Sequence, residues 1–148
     1  MTEEKVTKSI ISYLMDHGWK IVSFDFPQSG TGRSLHPSGS VSKNSGVLIP
    51  DVVAVKDGMS IYMENKDRYY PEDFIKVNDV LQTKMYAESF LRVLSVNQDT
   101  MFGGIGMPAA SCESIAEEMK NLVDFVLRVS EDGIVDIDFI APGRSINF

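Results

Sequence analysis

The sequence has a single cysteine, Cys112, among its 148 residues. One thiol cannot form an internal disulfide, and it excludes a zinc site built from several cysteines. No apolar run approaches the roughly 20 residues that span a bilayer, and the charged segment 1–5 lacks the apolar stretch of a signal peptide. We therefore expect a cytoplasmic protein that has no membrane partner.

Positive charge and histidine are also scarce. Lys and Arg together number 14 against 21 Asp and Glu, which gives a net charge of −7. This balance argues against a protein that coats nucleic acid by bulk charge. Acidic residues are concentrated in the last third of the chain, however, and residues 26–50 contain none. A local surface for a polyanion is therefore left open, whereas His17 and His36 have no partners at zinc-ligand spacing.

The remaining composition, 43% hydrophobic and 24% charged, is typical of a folded globular protein. The length predicts one domain over residues 1–148. Thr2 can cap a first helix, and Gly18 can end it. The apolar and turn patterns predict helix 3–17, strand 19–26, loop 27–46, strands 47–55 and 60–66, helix 71–90, strand 91–96, glycine-rich loop 97–108, helix 112–129 and strand 133–140. This order predicts a mixed α/β layer structure.

One turn predicts a specific cluster of charged side chains. Asp57-Gly58 between two apolar runs is a strong signal for a two-residue hairpin turn. The pairing that follows from this turn places Asp51 opposite Glu64, with Cβ atoms roughly 4.5–5.5 Å apart. Lys66 follows Glu64 by two positions and therefore projects from the same face of its strand. We expect these three side chains to form one group.

Two carboxylates that face each other across a hairpin repel, and the repulsion destabilises the sheet. A divalent cation would offset that cost, because Mg²⁺ takes oxygen ligands and often binds through one or two carboxylates plus substrate phosphates. A neighbouring lysine can orient an attacking water or stabilise charge that develops on a phosphate oxygen. The chemistry is metal-assisted hydrolysis of a phosphodiester. The alternative is a solvated salt-bridge cluster on a surface hairpin.

The segments Ile49-Pro50-Asp51 and Met63-Glu64-Asn65-Lys66 resemble the motif of the PD-(D/E)xK nuclease superfamily. That superfamily includes many type II restriction endonucleases and archaeal Holliday-junction resolvases. The resemblance covers roughly residues 3–96. It implies a single-domain α/β fold of the restriction-endonuclease type, in which helices flank a mixed central β-sheet. The expected core is αβββαβ, followed by a C-terminal helix and strand.

The resemblance also implies roles for individual residues. Lys66 would assist the attacking water, and a glutamate of the first helix often joins the site. Glu4 is the better candidate for that glutamate, and Glu3 competes with it. The implied ligands of Mg²⁺, for which Mn²⁺ may substitute, are Asp51, Glu64 and Asn65.

The activity that these roles imply is magnesium-dependent cleavage of double-stranded DNA, as in a small type II restriction endonuclease. A palindromic target would require a homodimer in which each subunit cuts one strand. No organic cofactor is expected. A Holliday-junction resolvase or a repair nuclease of the same fold is the alternative within catalysis. A non-catalytic DNA-binding or regulatory domain is the alternative from another class.

The acid-free loop 27–47 is the expected place for contacts with DNA. Arginine can read a guanine through two hydrogen bonds, which assigns base recognition to Arg33, whereas Lys43 is expected to contact a phosphate. A flexible loop with scattered polar residues is the alternative. The glycine-rich loop 97–107 is either a flap over the substrate or a connection. The predicted DNA-contacting residues are Arg33, His36, Lys43, Asn44 and Arg68.

Overall fold

A computed structural model describes residues 1–39 and 46–148. Its centre is a six-stranded sheet in which each strand pairs with its neighbours in chain order. The third to fifth strands pair in parallel, and the remaining neighbours are antiparallel. This mixed sheet, flanked by helices, is compatible with the predicted restriction-endonuclease-like fold. In the described ranges, no helix combines the length and apolar character needed to cross a membrane.

The elements have the following bounds. The strands are β1 (Lys20–Phe24), β2 (Val52–Lys56), β3 (Met59–Asn65), β4 (Met101–Pro108), β5 (Phe125–Val129) and β6 (Val135–Ile140). The helices are α1 (Glu3–Asp16), α2 (Pro71–Thr83), α3 (Ala87–Leu94), α4 (Ala109–Cys112) and α5 (Glu117–Lys120), with a 3-10 turn at Gln98–Thr100.

The predicted hairpin is confirmed. Val53 pairs with Tyr62, as the turn requires, and the register continues from Lys56 opposite Met59 to Val52 opposite Met63. Asp57 and Gly58 both have positive φ, at 48° and 79°. This is the backbone geometry that a two-residue hairpin turn needs, and glycine adopts it without steric cost.

The sheet carries an apolar layer on each face. On one face α1 buries Val6, Ile10 and Leu14 against the sheet, together with the C-terminal segment. On the other face α2 and α3 bury Phe74 and Phe90, among other side chains, against β2, β3 and β4. Alternate residues of β3 therefore face different helices, which is the period of two expected of a strand buried on both sides.

The first helix begins where it was predicted to begin. The Thr2 hydroxyl accepts a hydrogen bond from the Lys5 backbone N–H at 3.1 Å, which confirms the cap. The helix begins at Glu3 and stops at Asp16, one residue short of the prediction. This cap fixes the orientation of the first turn, which carries the glutamates expected near the site.

The predicted helix 71–90 begins at Pro71 as expected but is interrupted after Thr83, and the predicted strand 91–96 is wrong. The chain forms two helices, α2 and α3, that are separated at Lys84, where φ is +56°. A left-handed residue ends a helix, because the following backbone can no longer make the helical hydrogen bonds. Leu91 and Leu94 belong to α3, not to a strand. Apolar runs this short do not distinguish a strand from a buried helical turn.

The predicted loop 97–108 is instead a central strand. β4 lies between β3 and β5, and its glycines leave room for neighbours on both faces. A Cβ on Gly103 would overlap Val77 and Leu81 of α2, and a Cβ on Gly104 would overlap the ring of Phe125. The expectation of a flap over the substrate is therefore wrong.

The predicted helix 112–129 is also wrong. In this range α4 ends at Cys112, α5 spans only Glu117–Lys120, and β5 begins at Phe125. β5 pairs with β4 and β6, so its apolar residues serve a strand that is buried inside the sheet. A buried strand of this kind carries a continuous apolar run, which resembles a helical face in a single sequence.

Gly104→Ala should destabilise the protein by about 1–3 kcal/mol, because the added methyl group overpacks the core against the Phe125 ring. The free energy of unfolding in urea measures the loss. Phe125→Leu on the same background should recover part of it, since that change removes the ring that the methyl meets. Full stability of the Gly104→Ala single variant would contradict the assignment of β4 as a tightly packed central strand.

Candidate active site

The predicted acidic pair lies at one end of the β2–β3 hairpin. Asp51 directly precedes β2, and the register of the hairpin brings it level with Glu64 near the end of β3. The Asp51 carboxylate accepts a hydrogen bond of 2.7 Å from the backbone N–H of Asn65. Its own carbonyl accepts one of 2.9 Å from the N–H of Asp25, which follows β1. Three adjacent strands therefore fix the position of Asp51.

Glu64 is a buried carboxylate, with only 2% of the residue exposed. The hydroxyl of Tyr62 donates a 2.8 Å hydrogen bond to Oε2. The ammonium of Lys76, on α2, donates one of the same length to Oε1. Both oxygens are therefore engaged, one from inside the protein and one from its surface.

Burial raises the pKa of both carboxyl groups, and repulsion by a nearby carboxylate adds to the shift, from Glu64 for Asp51 and from Asp73 for Glu64. Burial is the main cause for Asp51, followed by the charge of Glu64, and together they raise its pKa to about 8 in spite of the Asn65 hydrogen bond. Burial likewise raises the pKa of Glu64, although the Lys76 charge and the hydrogen bonds from Lys76 and Tyr62 oppose the shift. The protein therefore holds two carboxylates close together with too little positive charge to compensate both.

Lys66 lies at the same end of the sheet, one residue beyond β3. Its backbone N–H donates to the carbonyl of Gly106 at 3.0 Å, which extends the pairing with β4. Burial lowers the pKa of its ammonium, but the carboxylates of Asp73, Glu3 and their neighbours outweigh this effect and raise it. Lys66 is therefore an ammonium at neutral pH, so it can stabilise negative charge but cannot accept a proton.

The structure brings Glu3, not Glu4, to this cluster. The Glu3 carboxylate lies 3.5 Å from the Lys66 ammonium. Glu4 points along the exposed side of α1 and pairs with Lys8 at 3.2 Å. Successive helical residues differ in direction by about 100°, so only one of the two can face the sheet. The preference for Glu4 as the site residue is wrong on this geometry.

Asn65 does not present its side chain to the acidic pair. The side chain lies on the opposite face of β3, where its amide donates to the hydroxyl of Thr7 at 3.2 Å. The alternation of side chains along a strand requires this, since Asn65 immediately follows Glu64. The Asn65 side chain is therefore not placed to bind a metal at the acidic pair, and the contribution that the structure shows there is the backbone N–H that holds Asp51.

Three residues of the cluster were not predicted as members. Tyr62 precedes Glu64 by two positions and so shares its face, a signal that strand periodicity offered. Asp73 and Lys76 lie three apart on α2, which places both on one side of that helix. Asp73 is buried, and its Oδ2 has no hydrogen-bond partner among the described residues. The sequence alone does not indicate a partner for Lys76, because Glu64 lies on β3 and Lys76 on α2.

The carboxylates suit a hard divalent cation. In the part of the chain that the structure describes, no group of three or more His, Cys, Asp or Glu side chains is arranged to hold a metal ion. Mg²⁺ does not need one, because it keeps several waters and binds through one or two carboxylates. Asp51 and Glu64 carry mutual repulsion that a cation would remove. They are the residues that would hold it.

The predicted DNA-contacting residues are dispersed. Arg33 and His36 are exposed, on a segment whose Leu35 pairs with Leu48, and the backbone N–H of His36 donates to Ser89 of α3. Arg68 is exposed close to the site, with its guanidinium 5.8 Å from the centre of the Tyr70 ring. Lys43 and Asn44 lie outside the described residues.

Cys112 is not equipped as a nucleophile. It is 5% exposed in α4, and burial raises the pKa of its thiol to about 12. The reactive species is the thiolate, which such a group does not form at neutral pH. The thiol is therefore a packing group.

The sequence matches no protein family profile, and no curated protein matches it. Two solved structures, however, share its architecture over nearly their whole length. One is an FdxN element excision controlling factor protein from Anabaena variabilis, with a TM-score of 0.51, 15% identity and coverage of 90% of this chain and 96% of that chain. The chain shares the fold of both structures. The other, an XisH family protein from Nostoc punctiforme, has a TM-score of 0.50, 16% identity and coverage of 89% and 96%.

Asp51→Asn should stabilise the metal-free protein, and more strongly at pH 8 than at pH 5. The folded-state pKa of Asp51, about 8, lies above the ordinary value of 3.8. Between these values the folded state keeps a proton that the unfolded state releases, so this carboxyl group costs stability as the pH rises. Asparagine preserves the acceptor for the Asn65 N–H and carries no charge.

Urea unfolding in EDTA at the two pH values measures this effect. We expect the stabilisation at pH 8 to exceed that at pH 5 by about 1 kcal/mol or more. Asp57→Asn, in the exposed turn, is the matched control and should show no such difference. An equal effect of Asp51→Asn at both pH values would contradict the raised pKa.

Proposed function

We propose that this protein is a magnesium-dependent endodeoxyribonuclease that hydrolyses phosphodiester bonds of double-stranded DNA. The observation that carries the proposal is the convergence of Asp51, Glu64 and Lys66 at one end of the β2–β3 hairpin. Two repelling carboxylates beside an ammonium are costly for folding, and catalysis is a reason to retain such a cost. The fold supports the proposal, because it is compatible with that of restriction endonucleases.

Each residue has a separate task in this proposal. Asp51 and Glu64 would hold Mg²⁺, which supplies an activated water and positive charge beside the scissile phosphate. Lys66 stabilises the negative charge that develops on the phosphate oxygens. Glu3 orients Lys66 from α1, and Tyr62 orients Glu64 from within the core. Mn²⁺ should substitute for Mg²⁺, since oxygen ligands suit both ions.

The substrate and the assembly are narrower proposals. We propose a type II restriction enzyme, whose dimer would place one site at each strand of a palindrome. One of the two similar structures is an FdxN element excision controlling factor protein, and excision of an element is compatible with the alternative of a Holliday-junction resolvase or repair nuclease. Because that protein is called a controlling factor, a non-catalytic DNA-binding or regulatory domain is the second candidate.

Asp51→Ala and Glu64→Ala should each abolish cleavage, because each removes a charged ligand of the metal. Lys66→Ala should lower the rate at least about 100-fold through loss of charge stabilisation. Binding to duplex DNA should persist in the Asp51→Ala and Glu64→Ala variants, since removal of a carboxylate lessens repulsion of phosphate. Lys66→Ala should leave metal-dependent binding largely intact. Nicking of plasmid and branched DNA with Mg²⁺, compared with EDTA, measures the activity.

Glu4→Gln is the matched control on α1 and should cut at nearly the wild-type rate. A wild-type protein that binds DNA but nicks no form of it with Mg²⁺ or Mn²⁺ would contradict catalysis and favour the regulatory role. Wild-type activity of Lys66→Ala would identify the motif as coincidental. Preference for a palindrome in linear duplex would favour restriction, whereas preference for four-way junctions would favour a resolvase.

Arg33→Ala should reduce discrimination between the preferred duplex and a single-mismatch duplex by about 1–3 kcal/mol, the value of one bidentate contact with guanine. Gly32, which precedes Arg33 in the chain, lies against Asp25 and Ile49. The exposed Arg33 is therefore held near the segment that leads into Asp51. Cleavage rates on the two duplexes measure the change. Arg128→Ala, on β5, should leave the ratio unaltered. An unchanged ratio in Arg33→Ala would exclude base reading by Arg33.

A further inference from the structure

We propose that Lys76 is an exchangeable counter-ion of Glu64. Its ammonium holds one oxygen of the carboxylate in the metal-free protein, and it turns to a phosphate of the substrate once a divalent cation occupies that oxygen. The inference rests on the proposed function. It adds a residue of α2 that lies outside the Asp51…Glu64-x-Lys66 motif.

The two partners of Glu64 differ in their freedom to leave it. Tyr62 is fully buried, and its ring packs edge-on against Phe90 at 6.0 Å between centroids. It has no route away from Oε2. The Lys76 side chain is 45% exposed, whereas that of Glu64 is 3% exposed. The ammonium therefore covers the solvent side of a carboxylate that is otherwise enclosed.

This position is the one from which a cation in solution would reach Glu64. Lys76 meets Oε1 at 2.8 Å, which is close contact for an ammonium and a carboxylate. A divalent ion on the same oxygen would repel the ammonium strongly, since unit charges a few ångströms apart interact by several kcal/mol at protein surfaces. Lys76 must then move, and its flexible four-carbon stem allows it to do so.

The displaced ammonium would stay at the mouth of the site. It is carried by α2, on the same side of that helix as Asp73, whose carboxylate interacts with both Lys66 and Lys76. A phosphodiester that approaches the acidic pair would meet Lys66 on one side and the released Lys76 on the other. An anion is the partner that such an ammonium can gain in place of Glu64.

Binding of Mn²⁺, followed through the electron paramagnetic resonance of the free ion, tests the exchange without reference to activity. Lys76→Met should bind Mn²⁺ at least about tenfold more tightly than wild type, because no ammonium competes for Glu64. Lys76→Arg keeps the charge and should remain near wild type. Lys84→Met removes the same charge at the end of α2, where Lys84 pairs with Asp99, and should also remain near wild type.

The outcomes separate the inference from the proposed function. If wild type binds Mn²⁺ and Lys76→Met binds it equally or more weakly, the exchange is wrong and the metal site stands. If neither wild type nor any variant binds Mn²⁺, the metal site of the proposed function is itself wrong. Circular dichroism confirms that each variant is folded, and Lys76→Arg separates loss of charge from loss of packing.

DNA binding tests the second half of the exchange. In Ca²⁺, with cleavage monitored on a gel, Lys76→Met should lower the slope of log Kd against log salt by about one, the value of one phosphate contact. In EDTA the same variant should leave the slope unchanged, because Glu64 already holds the wild-type ammonium. No reduction in Ca²⁺ would overturn the phosphate contact, and an equal reduction in both media would overturn the metal-dependent exchange.

Discussion

The burial of the Glu64 carboxylate is the constraint on which the site depends. A carboxylate at 2% exposure is stable only if donors reach both of its oxygens, and Tyr62 and Lys76 are those donors. The requirement ties β3 to α2. Asp51 adds a second carboxylate beside it and is held by a backbone N–H, which supplies a hydrogen bond but no full positive charge. The fold therefore holds two carboxylates close together without enough positive charge to balance both.

Successive side chains of β3 point to opposite faces of the sheet, and the two faces have different roles. Tyr62, Glu64 and, beyond the strand, Lys66 serve the charged cluster, whereas Asn65 binds Thr7 of α1 on the other face. α1 nevertheless reaches the cluster through Glu3, because its first turn extends past the end of the sheet. The site thus lies where the apolar layers end and three elements meet. Ion pairs there are partly screened, and substrate can approach.

Features that depend on residues close together in the chain could be predicted from the sequence, whereas contacts between distant segments could not. The Asp57-Gly58 turn determined the register, and with it the proximity of Asp51 to Glu64, within a single hairpin. The sequence predicts a loop where β4 lies, because Gly103 and Gly104 are favourable in a strand only when α2 and Phe125 pack against them. The partner of Lys76 cannot be predicted for the same reason, since it lies on another element. The choice between Glu3 and Glu4 required the phase of α1 relative to the sheet.

The net charge of −7 does not conflict with an anionic substrate, because charge acts locally. At physiological salt, exposed charges are screened beyond about 8–10 Å. Many of the exposed acids lie on the short helices, β6 and the turn before it, on the side of the sheet away from β2. Lys66, Arg68 and Lys76 lie beside the acidic pair instead. A bound divalent ion would add to the positive charge of these three side chains and reduce the repulsion that a polyanion meets from the acidic pair.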